Sequence, residues 1–199
     1  MTNQQTWDEL YLSRDQLFSG APNGVLVTEV TDLPPGQALD VGCGEGADAL
    51  WLARLGWLVT AADISRVALQ RAAAADTTGR VAWTRSDLTA TPPPAGAFDL
   101  VSAQYFPLQH QPDHTALRGL LAAVAPGGTL LIASHDPADL PPDRDHGFDP
   151  NDYYLPADIA RFLDDNWTVQ VHETRPRTAP APAGTHHAHD IVLRAQRLR

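Results

Sequence analysis

The sequence predicts an α/β fold built as a doubly wound, mainly parallel sheet with helices on both faces, and three observations carry that prediction. An apolar run, Ala38-Leu39-Asp40-Val41, enters glycines at alternate positions, Gly42, Gly44 and Gly46, the pattern of a buried strand passing through a tight turn into a helix. Further apolar runs of strand length alternate with helical patterns down the chain, as parallel strands joined by crossover helices require. The last two strand-like runs have no helix between them, so the final strand must run antiparallel.

Taken in order, residues 7–17 place Trp7, Tyr11 and Arg14 at i, i+4 and i+7 on one helical face, and the stretch from Phe18 to Gly24 is rich in turn formers. Residues 25–33 predict a second short helix, stopped by Pro34-Pro35-Gly36. The first strand and the glycine turn follow. Asp40 stands in the mouth of that turn, where a buried carboxylate needs a cationic or donor-rich partner. The helix over 47–55 would offer unpaired N–H groups to a partly negative ligand. Residues 57–62 read as the second strand, closed by Asp63, an acid at the position where a βαβ unit holds a ribose diol. Ser65 is the expected N-cap of the next helix, which ends before Gly79. A third strand over 80–84 leads to Asp87, and the proline-rich loop 91–96 turns into a fourth strand at Phe98. Beyond it lies Gln104-Tyr105-Phe106-Pro107-Leu108-Gln109-His110, at the edge where open α/β sheets bind ligands. A helix over 113–124 and a fifth strand ending at Ser134-His135-Asp136 come next. Residues 137–156 carry much Pro, Asp and Gly with little period, the composition of a lid loop. A short helix over 157–163, a strand over 167–172, a proline-rich connection and a last strand over 190–196 complete the chain.

The segment from Leu39 to Gly46 resembles the first motif of the class I S-adenosylmethionine-dependent methyltransferases, whose pattern is apolar residues, Asp, x, Gly, x, Gly, x, Gly. Phe98-Asp99-Leu100-Val101-Ser102 resembles the fourth strand of that family, and Pro126-Gly127-Gly128-Thr129-Leu130-Leu131-Ile132 its fifth-strand turn. The resemblance implies a seven-stranded Rossmann-like sheet of order 3-2-1-4-5-7-6 in a single domain. Within it, residues 1–36 would form a helical lid, 37–136 the cofactor-binding core, 137–156 a lid loop and 157–199 the C-terminal part of the sheet. It also implies S-adenosyl-L-methionine as cofactor, with Asp63 and neighbouring Ile64 on the ribose, Asp87 and Leu88 on the adenine, and Gly42, Gly44 and Asp40 around the methionine end. Gln104 or Tyr105 would stand beside the methyl group. In small-molecule methyltransferases of the tellurite-resistance and thiopurine type, which this chain resembles in style, an N-terminal aromatic helix closes over the cofactor. Trp7 and Tyr11 would then shield the sulfonium, and Arg14 would pair with the methionine carboxylate.

Composition narrows the alternatives. At 199 residues and 43% apolar content the chain can bury one substantial core. It has 14 basic residues, all arginine, so the lysine of a Walker-type phosphate loop and that of a short-chain dehydrogenase pair are both missing. A formal net charge of -10 opposes a phosphate backbone, so nucleic acid is not the expected partner. Cys43 is the single cysteine, which forbids an internal disulfide and suits a reducing compartment. No apolar run approaches the ~20 residues of a membrane span, and the stretch Met1–Trp7 does not read as a signal peptide. The expectation is a cytoplasmic monomer or homodimer acting on a small-molecule acceptor, without membrane attachment. A nucleotide-dependent oxidoreductase and a non-catalytic cofactor-binding protein remain as alternatives.

For the chemistry itself, the antiparallel last strand begins at the edge where the parallel strands end. His187 and His189 therefore share that edge with His135 and His110, and strand alternation points His187 and His189 together and His186 away. Three readings stand side by side: a neutral imidazole taking a proton from the acceptor, a metal site built from His187 and His189 with His135 or an aspartate of the 136–152 loop, and simple packing against the lid. His114 and His172 read as packing or solvent residues.

Overall fold

The computed structural model describes residues 3–139, 149–178 and 187–199. Six α-helices and seven strands follow one another in these segments: α1 (Asn3–Leu12), α2 (Gly24–Val30), β1 (Gln37–Val41), α3 (Ala47–Arg54), β2 (Leu58–Asp63), α4 (Arg66–Ala75), β3 (Val81–Arg85), β4 (Phe98–Gln104), α5 (Thr115–Ala123), β5 (Val124–His135), α6 (Pro156–Ala160), β6 (Trp167–Pro176) and β7 (His189–Arg197). The strands form one sheet of order β3-β2-β1-β4-β5-β7-β6. The first five are parallel, and β7 runs antiparallel to both β5 and β6. The expected order and the reversed last strand are both present. The middle of the expected lid loop, 140–148, and the segment 179–186 with His186 lie outside the described residues.

Side chains of successive strand residues leave opposite faces of the sheet, and this alternation divides the core into two layers. Leu39, Val41, Val101, Ala103, Leu130, Ile132 and Leu193 meet Leu117 and Leu120 of α5 and Ile159 of α6 on one face. Ala38, Val59, Ala61, Leu100, Leu131, Ala133 and Val192 meet Leu26 and Val30 of α2 and Leu52 of α3 on the other. Central strands covered on both faces are near-continuously apolar, which is why these runs stood out in the sequence. Asp40, Ser102 and Gln104 follow the parity of the second face, so the polar residues at the strand ends point to the α2 and α3 side.

Three elements differ from expectation for identifiable reasons. Helix α1 ends at Leu12 rather than near residue 17, because the Ser13 hydroxyl and backbone turn back onto the Leu10 carbonyl at 2.6 and 3.2 Å. Arg14 therefore follows the helix instead of continuing its face. Strand β5 starts at Val124, directly off α5, and passes through Pro126-Gly127-Gly128 with a register break opposite Phe98 and Leu100. Strand β6 runs on to Pro176, because Glu173 to Pro176 pair in register with Val192 to His189.

Helix α2 is tied to the antiparallel edge by a buried carboxylate. Glu29 accepts from Arg175 at 2.8 Å and from Arg194 at 3.4 Å. Buried pairs of this kind add little net stability but are costly to break, since one lost partner leaves an unpaired charge.

The core layers predict a sharp contrast on truncation. Leu131 is fully buried in the middle of the sheet and Leu58 is 46% exposed at the start of β2. Leu131→Ala is expected to cost about 2–5 kcal/mol, measured as a lowered urea midpoint at unchanged slope. Leu58→Ala is expected to stay within about 0.5 kcal/mol.

Candidate functional site

A cavity of about 820 Å³ opens across the carboxyl ends of β1, β2 and β4, where the strand order reverses. Its floor is the turn after β1. Gly42 and Gly44 have φ of +67° and +53°, a region costly for residues with a Cβ. A Cβ on Gly42 would collide with the Phe106 ring, and one on Gly44 would stand 2.8 Å from the Tyr11 hydroxyl oxygen. The bare backbone of this turn thus forms the cavity wall.

Asp63 holds the turn in place. Its Oδ2 accepts from Gly44 N–H at 2.9 Å and its Oδ1 from Ser65 N–H at 2.8 Å. Ser65 in turn caps α4 by accepting from Ala68 N–H at 3.2 Å. One carboxylate therefore joins the end of β2, the glycine turn and the start of α4. Burial raises the Asp63 carboxyl despite these donors.

Asp40 lies deeper. Burial, and the nearby carboxylates of Asp48 and Asp63, push its carboxyl well above the usual range. Its Oδ2 has no hydrogen-bond partner among the described residues, and neither has Oε1 of Gln104, whose Nε2 donates to Ser102 Oγ at 3.0 Å. Both residues line the cavity. A buried acceptor left without a donor costs about 1–3 kcal/mol, so this wall is complementary to a ligand that brings N–H or cationic groups.

The residues expected on the cofactor side all line this one cavity: Trp7, Tyr11, Arg14, Asp40, Gly42, Gly44, Asp63, Ile64, Asp87, Leu88 and Gln104. Asp87 is exposed and closes a local turn, accepting from the Thr89 N–H and hydroxyl at 2.9 and 2.6 Å. Tyr11 sits between Trp7 and Phe18, with ring centroids 6.3 and 6.2 Å away, and burial pushes its hydroxyl up.

The N-terminal segment is strapped over this cavity by acids the sequence reading did not single out. Asp8 accepts from the Ser65 hydroxyl at 2.6 Å and from Val67 N–H at 3.2 Å. Glu45 accepts from the N–H groups of Leu17 and Phe18, each at 3.1 Å, and from Arg71 at 2.9 Å. Asp48 accepts from the backbone and side-chain amides of Asn23 at 2.7 and 2.8 Å. Only the position of Glu45 and Asp48, within and just after the glycine turn, could have flagged two of them.

The candidate catalytic histidines are divided. His135, at the end of β5, lines the cavity. Its ring stacks on Tyr105 at 4.3 Å and on His187 at 3.7 Å with a 5° interplanar angle. His189 is bonded instead to Asp139, Nδ1 to Oδ1 at 2.9 Å, which raises the imidazole and holds the Asp139 carboxyl down to about 2. His187 precedes β7, so strand alternation does not govern it and the two rings have different partners. His110 is exposed, packs edge-on against Tyr154 at 4.1 Å and is absent from the cavity wall. His189 and His110 are therefore not placed to reach a ligand there. Nor do His135 and His187 form a shared metal site: rings stacked face to face keep their in-plane lone pairs in separate planes. Among the described residues no cluster of three His, Cys, Asp or Glu side chains is gathered. No helix of the described residues is long and apolar enough to cross a membrane.

Comparison with known proteins agrees with this geometry. A family model described as a methyltransferase domain matches residues 38–128. An uncharacterized methyltransferase of Mycobacterium bovis is 39% identical over 97 residues, 48% of this chain and 49% of that protein. Trans-aconitate 2-methyltransferase of Rhizobium meliloti is 38% identical over 120 residues, 58% of this chain and 45% of that protein. The chain thus spans about half the length of the curated relatives it matches. A solved structure concerned with the conversion of a disulfide bond into a thioacetal group during echinomycin biosynthesis shares the fold, with a TM-score of 0.74 at 24% identity over 98% of this chain and 92% of that one.

The buried acid of β1 yields a pH prediction. A carboxyl raised by folding favours the native state while protonated and disfavours it as pH climbs through the folded value. Asp40→Asn is therefore expected to raise the melting temperature of the cofactor-free protein at pH 8, the gain shrinking toward pH 4. Calorimetry showing an equal effect at both pH values would contradict the assigned cost.

Proposed function

We propose that the chain is a class I S-adenosylmethionine-dependent methyltransferase, and that it transfers a methyl group from S-adenosylmethionine to a small-molecule acceptor bound in the same cavity. The observation that carries this reading is the pair of unpartnered buried acceptors, Asp40 Oδ2 and Gln104 Oε1, on the wall of a cavity of about 820 Å³ beside a bare glycine backbone. Such a wall suits a ligand with an ammonium group and a cationic centre, and the volume is that of ordinary cofactor sites.

In this reading Asp63 uses the lone pairs left over from Gly44 and Ser65 to accept from the ribose hydroxyls, and Ile64, Asp87 and Leu88 surround the adenine. Asp40 and the glycine turn take the methionine end. Trp7 and Tyr11 cover the sulfonium, a role that suits aromatic faces, and Arg14 meets the methionine carboxylate. Gln104 and Tyr105 border the methyl group. The cofactor supplies a methyl on a cationic sulfur, already activated. What the chain contributes is alignment and exclusion of water, and orientation of reacting groups alone is worth up to about 7–11 kcal/mol. The strap over residues 3–23 serves that exclusion.

Titration calorimetry with S-adenosylhomocysteine tests the reading. The parent protein is expected to bind it with one-to-one stoichiometry. Asp63→Asn, which keeps an acceptor for Gly44, is expected to bind about 10-fold or more weakly, since hydrogen bonds to charged groups are worth about 1.5–3 kcal/mol. A parent that does not bind, or an Asp63→Asn variant that binds equally well, sinks it.

A further inference from the structure

The end of the cavity beyond Gln104 is built from three separate strand ends. Tyr105 follows β4, His135 closes β5, and Arg177 comes just after β6. Tyr105 has φ +55°, an unusual value for a residue with a side chain, and this turn lays its ring under its two neighbours. The Arg177 guanidinium carbon stands 5.1 Å from the centre of the Tyr105 ring.

Arg177 is 9% exposed and fixes the whole group. Its Nη1 donates to Asp190 Oδ1 at 2.7 Å and to His135 Nδ1 at 3.0 Å. A guanidinium can only donate, so His135 Nδ1 must be the acceptor and the ring hydrogen resides on Nε2. This is the reverse of a catalytic dyad, in which a carboxylate accepts from Nδ1–H and leaves Nε2 free to take a proton. Burial, then His187 and Arg177, push the His135 imidazole down to about 3. His135 is therefore a neutral donor whose lone pair is already occupied. Arg177 Nε is also buried and has no hydrogen-bond partner among the described residues. Asp190 is 4% exposed and engaged by Arg177, so it is neither free to act as a base nor open to the cavity.

Among the described residues, this end of the cavity thus presents donors and no proton acceptor of useful strength. A neutral alcohol, which is a poor nucleophile until it loses its proton, meets no described group there that could take it. A nucleophile that is already anionic needs no base and is complementary to an Nε2–H and an Nε–H. Resting on the methyl-transfer reading above, we propose that the acceptor is an organic acid bound as its carboxylate against His135 and Arg177 and methylated on oxygen. One carboxylate oxygen is held by the donors while the other attacks. The O–CH3 bond forms as the CH3–S bond breaks, the bonding pair returns to sulfur, and no proton is released. The products are a methyl ester and S-adenosylhomocysteine.

The test uses the full chain with S-adenosylmethionine and matched pairs: hexanoate, phenylacetate, succinate and fumarate, each against its primary amide and the corresponding alcohol. Formation of S-adenosylhomocysteine is followed, with alkaline release of methanol identifying an ester. Turnover is expected with one or more acids and with none of the amides or alcohols. For the best acid, His135→Phe, which keeps a stacking ring but no donor, is expected to lose at least 10-fold in kcat/KM, mainly through KM. His135→Gln, which returns an N–H, is expected to recover most of that loss, and both variants should bind S-adenosylhomocysteine like the parent. Turnover of the neutral acceptors, of no acid in a protein that binds S-adenosylhomocysteine, or an unimpaired His135→Phe overturns the carboxylate assignment alone. Failure of the parent to bind S-adenosylhomocysteine overturns the underlying reading instead.

Discussion

The site depends on one carboxylate that belongs to two elements at once. Asp63 ends β2, yet each of its two oxygens accepts from a backbone N–H of another element, Gly44 in the turn after β1 and Ser65 at the approach to α4. Together with the Gly42 and Cys43 N–H groups on the Ala62 carbonyl at 2.8 and 3.1 Å, that bridge keeps the left-handed glycines in one of their many allowed conformations, although glycine loses more backbone freedom on ordering than any other residue. With it, the backbone is held bare toward the cavity, and α3 and α4 leave the sheet at set positions. Everything on the cavity wall is positioned relative to that junction.

A second constraint follows from how much negative charge is gathered nearby. Asp40, Asp48 and Asp63 are all buried at the same strand ends, and burial raises each of them. Asp48 is offset by the two Asn23 amides and Asp63 by two backbone donors, whereas Asp40 keeps an oxygen with no donor among the described residues. That asymmetry concentrates the cost of the buried acids at Asp40, on the cavity wall. The acids at its rim have a different task. Asp8, Glu45 and Asp48 tie residues 8, 17, 18 and 23 to the α3 and α4 side, so charge-assisted hydrogen bonds fasten the aromatic strap alongside the burial of Tyr11.

Legibility in the sequence followed the length scale of each feature. The sheet order and the gathering of Asp40, the glycine turn and Asp63 on one cavity wall were readable because their signals are local: apolar runs both of whose faces are covered, and a motif from Asp40 to Asp63 contained in one βαβ unit. The early start of β5 was hidden, because Pro126-Gly127-Gly128 has the composition of a turn and only the register break opposite β4 lets it stay in the sheet. The extension of β6 to Pro176 was hidden in a similar way by proline on an edge strand, where its missing N–H costs nothing. The Arg177–His135 contact joins residues 42 apart and the Glu29–Arg194 contact residues 165 apart, and neither has a pattern that a single stretch of sequence displays. The histidines show the limit most plainly. Their residue type suggested a base, but whether an imidazole accepts or donates is decided by its neighbour, and here the neighbour is an arginine drawn from a proline-rich connection.

The most direct measurement of the central claim is a crystal structure of the chain with S-adenosylhomocysteine. A nucleoside lying across the ends of β1 and β2, its sugar hydroxyls within hydrogen-bond distance of Asp63 and its amino group against Asp40, is the predicted result. A ligand absent from that crevice at saturating concentration, or lodged elsewhere with Asp40 still unpartnered, would contradict it.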